Sequence, residues 1–125
     1  MAHFDAETLR RLSMAREVSI RTDQHPNSAV IIWVVVADDE VFVRSWRGAR
    51  GRWYRDLAQG GPASLEFNGN RLPVHAVPAL EAAPIARVSD GFLQKYRTSS
   101  HAQEMVRAEI LSTTLRLEPR EPSKS

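Results

Sequence analysis

Residues 29–37 read Ala-Val-Ile-Ile-Trp-Val-Val-Val-Ala, and six of the nine are β-branched. Such side chains are stiff at χ1 and suit a pleated strand better than a helix. The run is about half the ~20 residues needed to cross a membrane. It therefore reads as one strand buried on both faces, which obliges the rest of the chain to cover it on two sides. Asp38-Asp39-Glu40 then forms a polar turn, and Val41-Phe42-Val43 starts a return strand, giving a β-hairpin.

The flanking sequence supplies more strands and several short helices. Asp5 is placed to cap a first helix carrying Leu9 and Leu12, with Phe4 and Leu9 at the positions of a hydrophobic staple. Glu17–Thr22 alternates as a strand with one wet face, and His25–Ser28 is a turn. Arg52–Gln59 reads as a short helix with Trp53 and Leu57 on one face, stopped by Gly60-Gly61-Pro62. Asn68-Gly69 is a strong hairpin signal between Ala63–Phe67 and Arg71–Ala79. Pro73 and Pro78 point to an edge strand or bulges in the second arm. Pro84–Arg97 is mostly helical, with Ser89-Asp90-Gly91 as the point where it can break, and Tyr96 is read as a helix core contact. Ser100 and Gln103 fit a capping box for a helix over His101–Ala108. Ile110–Leu117 alternates as a final strand.

The fold class expected is α+β: an antiparallel, six-stranded split β-barrel with three or four short flanking helices. Closure protects the strand edges. Residues 1–120 are read as one domain and 121–125 as a polar C-terminal tail, a size that suits one core among 125 residues. There is no cysteine, which excludes disulfides, thiolate metal sites and cysteine nucleophiles. No apolar stretch is long enough for a membrane span, and Met1–Asp5 lacks the features of a secretory signal, so a cytoplasmic location is expected.

Of seventeen basic residues only Lys95 and Lys124 are lysines. Five of the arginines, 44, 47, 50, 52 and 55, fall within the segment Val43-Arg-Ser-Trp-Arg-Gly-Ala-Arg-Gly-Arg-Trp-Tyr-Arg55. A strand ends there, a glycine-containing loop follows, and a helix begins. Loop N–H groups, the helix start and guanidinium forks suit phosphate oxygens. Trp46, Trp53 and Tyr54 add flat surfaces, so the segment suits a phosphorylated planar ligand. Trp53 is assigned to the core, Arg50 to solvent, and Arg55 to pairing with Asp56 or another surface acid. Arg44, Ser45, Arg47 and Arg52 remain as the candidate phosphate-binding set.

These residues also carry a resemblance. Hairpin strands followed by “VFVRSWRGARGRWYRDLAQGGPASLEF” resemble the flavin-binding split β-barrels, the pyridoxamine-phosphate-oxidase-like superfamily. Within it, Arg44–Gly48 (“RSWRG”), Arg52–Asp56 (“RWYRD”) and Thr113–Leu117 (“TTLRL”) are similar to a small uncharacterised bacterial family. The likeness covers roughly 17–120. It implies a homodimer with ligand clefts at the subunit interface, and Arg44, Ser45 and Arg52 in the positions of phosphate-gripping residues, with Arg47 between them. Where an oxidase typically has serine–arginine–lysine before the helix, this chain has Gly51-Arg52-Trp53. The resemblance thus leaves FMN, a deazaflavin, another phosphorylated ligand or loss of cofactor binding open. The activity it implies is that of an oxidoreductase on an unknown small molecule, with a non-enzymatic ligand- or protein-binding module as the alternative.

Other chemistry is poorly supported. His3, His25, His75 and His101 show no metal-ligand spacing, and none is expected to pair with a carboxylate at helical spacing. They are read as structural or surface groups. Ser45 has no histidine nearby in sequence, which weakens a hydrolase reading. A net charge of +2 argues against a nucleic-acid partner. No catalytic residue is identified.

Overall fold

The computed structural model describes residues 3–120. The Asp5 carboxylate accepts the Thr8 N–H at 2.7 Å and starts helix α1, Ala6–Met14. Seven strands follow: β1 Val18–Thr22, β2 Val30–Ile32, β3 Val35–Ala37, β4 Glu40–Val43, β5 Gly61–Phe67, β6 Asn70–Pro78 and β7 Leu115–Pro119. Helices α2 (Arg52–Leu57) and α3 (Ala82–Lys95) lie between them, with 3-10 segments at Gly48–Arg50, Ala102–Val106 and Ala108–Thr113. The tail 121–125 lies outside the described residues.

All strand pairs are antiparallel, in the order β2-β1-β5-β6-β7-β4-β3. The first and last strands of that order, β2 and β3, are neighbours in sequence, separated only by Trp33 and Val34. Three Cα steps reach roughly 10 Å. The sheet must therefore curl until its two ends lie side by side.

This corrects the reading of 29–37 as one doubly buried strand, and with it the count of six. The segment changes partners midway: Ile32 pairs with Val18 of β1, and Val35 pairs with Phe42 of β4. Only its middle is buried on both sides. Ile31 is 66% exposed because, among the described residues, no element covers that face of β2. The two tight hairpin turns, β3–β4 and β5–β6, each use two residues with positive φ, Asp38-Asp39 and Asn68-Gly69, the geometry that matches strand twist.

Three further expectations shift. β6 is central, between β5 and β7, not an edge. Its prolines are tolerated because Pro73 precedes the first β7 pair, Val74 with Pro119, and Pro78 is the last residue of the strand. α3 runs unbroken through Gly91. The final strand begins only at Leu115, because the Thr113 and Thr114 hydroxyls donate back to the Ile110 and Leu111 carbonyls at 2.6 and 2.8 Å and hold tight turns. Residues 102–106 form a 3-10 segment with no side-chain cap, rather than a boxed α-helix.

Two apolar clusters form the core. One gathers Val18, Ile20, Val41, Val43, Leu65, Val74 and Leu117 with Leu12 of α1 and Trp53 and Leu57 of α2. The other packs Val35 and Phe42 against Val88, Phe92 and Tyr96. Successive residues of β4 thus point to opposite clusters. α3 covers the outer face of the β3–β4 hairpin at close range: a Cβ on Gly91 would lie 2.5 Å from Val35 Cγ1.

The partner change is pinned at Val34. Its N–H donates to Tyr96 Oη at 3.2 Å, and its carbonyl accepts from Lys95 Nζ at 2.7 Å. Tyr96 Oη also donates to the Arg16 carbonyl at 2.8 Å, and Lys95 Nζ to the Leu12 carbonyl at 3.1 Å. Trp33 stacks on Tyr96 with centroids 3.9 Å apart. Tyr96 is therefore the core contact expected, and also the hydrogen-bonding hub of the turn. Burial pushes the Lys95 ammonium down to about 8 and the Tyr96 phenol up to about 12.

Gly91→Ala is expected to destabilise the protein by about 1–3 kcal/mol through overpacking against the stiff, buried Val35, outweighing the ~1 kcal/mol helix-propensity gain. Denaturant unfolding checks this, and adding Val35→Ala should recover part of the loss. Lys95 makes a second prediction. Its folded value lies below the unfolded one, so the unfolded chain binds more protons between them. Stability should rise from about pH 8 towards pH 10, until Tyr96 opposes it above the ordinary phenol range. In Lys95→Met that rise should flatten.

Candidate functional site

β4 delivers Arg44 inward rather than to solvent. Its side chain is 1% exposed and has no carboxylate partner among the described residues. Nε donates to Thr114 Oγ1 at 2.7 Å, Nη1 to Ser89 Oγ and the Met105 carbonyl at 2.9 Å each, and Nη2 to the Ile85 carbonyl at 2.8 Å. The Phe92 ring lies against the guanidinium, 5.5 Å from Cζ to centroid. Burial without a compensating anion lowers its pKa to about 10.

Ser45 is equally committed. Its hydroxyl donates to the Gly48 carbonyl at 2.8 Å, and its N–H donates to Thr113 Oγ1 at 3.1 Å. A Cβ at Gly51 would lie 2.5 Å from Ser45 Oγ, so the serine fills the space that only glycine leaves. Gly48 takes φ +64 and closes the loop through the bond from its N–H to the Ser45 carbonyl at 2.9 Å. The sequence reading gave Arg44 and Ser45 to the ligand. In the structure their main donors are occupied within the protein, where they brace the loop. α2 has only six residues, too short for its dipole to dominate, so side chains set the local field.

All four candidates, Arg44, Ser45, Arg47 and Arg52, line one cleft of about 940 Å³. Arg50 and Arg55, assigned above to the surface, line it too, and so does Arg16 from beyond α1. Among the described residues Glu17 is the single carboxylate on its wall. Arg16, Arg47, Arg50, Arg52 and Arg55 are exposed, and among the described residues none has a carboxylate within 4 Å. Elsewhere most arginines are paired: Arg10 and Arg11 with Glu7, Arg21 with Glu66, Arg87 with Asp38, Arg116 with Glu40 and Glu118. Asp56, the expected partner of Arg55, turns the other way. It accepts from Thr22 Oγ1 and pairs with His25 Nδ1, both at 2.6 Å. Burial opposes its ionisation, yet the Thr22 and His25 hydrogen bonds lower its pKa overall.

Aromatic surface accompanies the charge. Trp33, Trp46 and Trp53 all reach the cleft wall. Trp53 is also 8% exposed and packed in the core, as expected from its spacing. His101 lines the cleft as well, and its Nδ1 meets Glu104 Oε2 at 2.8 Å. This is a histidine–carboxylate pair at i, i+3, a spacing the sequence reading overlooked. The hydrogen bonds from His101 and Trp46 hold the Glu104 carboxyl below the ordinary range. Arg16 carried no comparable signal, because only the fold brings the end of α1 to the loop after β4.

A family model described as “Uncharacterized protein conserved in bacteria (DUF2255)” matches residues 8–117. The chain belongs to this family. The DUF2255 match spans α1 to β7 and so includes the arginine loop and the cleft. A solved structure, “Crystal structure of conserved hypothetical protein Rv2991 from Mycobacterium tuberculosis”, aligns over 97% of this chain and 83% of its own, with TM-score 0.62 and 14% identity. It shares the fold with this DUF2255 chain. No curated protein matches the chain significantly. Among the described residues no helix is long and apolar enough to cross a membrane, and no group of three or more histidines and acids converges on a metal position.

Arg44→Lys should destabilise the fold by at least about 2 kcal/mol, because one ammonium cannot serve four acceptors spread around a planar fork. Thermal and denaturant unfolding measure the loss. A stability within 0.5 kcal/mol of wild type, taken as roughly the level of a neutral surface change, would contradict the structural role.

Proposed function

We propose that the cleft binds a phosphorylated, planar ligand of the flavin or deazaflavin class, and that the protein is an oxidoreductase acting on a small molecule. One observation carries the reading: five exposed arginines, without acid partners among the described residues, surround a cleft that also presents tryptophan faces. Uncompensated cations cost stability through mutual repulsion, and a bound phosphate removes that cost. The volume, about 940 Å³, falls within the range of cofactor pockets. Arg47 and Arg52 would hold the phosphate, with Arg50, Arg55 and Arg16 adding to the field. Arg44 and Ser45 would fix the loop that carries Arg47. A bound flavin or deazaflavin supplies hydride or electron transfer by its own chemistry.

The resemblance noted in the sequence supports the same reading. In that frame β2 and β3 count as the two halves of one bent strand, and the curled sheet as a six-stranded split β-barrel formed by residues 1–120. The chain would act in the cytoplasm as a homodimer with its clefts at the subunit interface. Ile31, exposed on the cleft wall, is the kind of apolar surface a second subunit covers. The commitment of the Arg44 and Ser45 donors favours a second reading, a non-enzymatic module of the same fold that holds another phosphorylated ligand.

Titration with FMN and with a deazaflavin, followed by absorbance and calorimetry, tests the proposal. Micromolar binding of one of them is expected, and Arg47→Ala and Arg52→Ala should each weaken it roughly 10-fold, the loss of one charge-assisted hydrogen bond. Binding of neither at high micromolar concentration would reject the flavin reading. Light scattering should return twice the chain mass; a strict monomer would remove the interface cleft.

A further inference from the structure

Trp46 is 52% exposed, yet it is held in place from three directions. Its Nε1–H donates to Glu104 Oε1 at 2.8 Å. Arg107 lies over its ring, 5.8 Å from Cζ to centroid, and also donates to the Trp46 carbonyl. Glu104 is fixed in turn by His101. Immobilising a large side chain costs conformational entropy, which burial normally offsets. Here the ring is ordered while half of it stays in water. A rigid, amphipathic aromatic face with its polar handle already engaged is a prepared stacking surface.

Its position adds the second observation. Beside the cleft lies a smaller hollow of about 360 Å³, lined by Trp46, Arg47, Arg50 and Arg107. Trp46, Arg47 and Arg50 border both spaces. The cationic surface therefore continues past the position of one phosphate, with the indole at the junction. Two carboxylates stand nearby. Glu104, bonded to Trp46 and His101, also attracts Arg107, and Glu109 sits 75% exposed at 3.8 Å from Arg107 Nε; they offset part of the Arg107 charge, whereas Arg47 and Arg50 have no carboxylate within 4 Å among the described residues.

We propose that this hollow is a subsite for a second phosphate and a second planar ring, so that the ligand of the cleft is a pyrophosphate-linked dinucleotide. Arg47 and Arg50 hold the contiguous phosphates, Arg107 extends the cationic surface, and Trp46 stacks on the distal ring. The proposal rests on the cleft reading given above and makes it more specific.

The test compares FMN with FAD on the intact protein at fixed ionic strength, by calorimetry and tryptophan fluorescence. FAD should bind at least roughly 10-fold tighter, the scale of one added stacking contact and phosphate. Arg107→Ala should remove most of that preference while leaving FMN affinity within about 2-fold, and Trp46→Leu, on the wall of both spaces, should weaken FAD several-fold more than FMN. Both variants should keep the wild-type melting temperature, which separates lost contacts from lost folding. Equal affinity for FMN and FAD, or variants that weaken both ligands alike, would overturn the subsite and leave the cleft reading intact. Failure of FMN and FAD alike would overturn the subsite. If the deazaflavin also fails to bind, the flavin reading falls with it.

Discussion

The backbone of Val34 is the constraint on which the architecture depends. It lies between two strands that pair with opposite ends of one sheet, so no strand partner takes its N–H and carbonyl. Left unpaired in a fully buried residue, those groups would cost several kcal/mol. Tyr96 and Lys95, at the end of α3, take both. The same two side chains also reach the carbonyls of Leu12 in α1 and Arg16 just after it. One junction thereby ties the first helix, the third helix and the two sheet ends together, and leaves the cleft along the wall where β2 meets the loop after β4.

Much of this organisation was legible as local pattern. The Asp5 cap, the Asp38-Asp39 and Asn68-Gly69 turns, the alternation of β1 and the Trp53–Leu57 face all follow from short-range chemistry, and each forms where the spacing placed it. What could not be read was partner choice. An apolar run shows that a segment is buried, but not that its halves pair with different strands. Gly91 resembles a helix breaker until Val35 is known to press against it. Prolines in β6 look like an edge because the sequence does not show where a neighbouring strand stops.

The site divided along the same line. Clustering of arginines identified the loop, and the fold gathered Arg44, Ser45, Arg47 and Arg52 on one cleft. Their roles, however, depend on side-chain direction. Arg44 alternates to the interior of β4, whereas Arg47 and Arg52 follow the turn and face water. Arg50 and Arg55 joined the cleft because the surface acids pair elsewhere, Asp56 with His25 and Thr22. Which cations stay uncompensated is a property of the whole surface, and no window of twelve residues contains it.

The acceptors around Arg44 belong to residues 41, 45, 61 and 70 positions further along the chain. None is available until α3, the 3-10 segments and the start of β7 have come back across β4. A chain that collapses earlier must either leave this guanidinium in water, which keeps β4 from docking, or bury a bare charge, which is strongly unfavourable. The side chain therefore acts as an arrival check during folding. It ties closure of the core to completion of the C-terminal half, and it does so at the strand end from which the ligand loop departs, so a cleft cannot be formed on a half-folded chain.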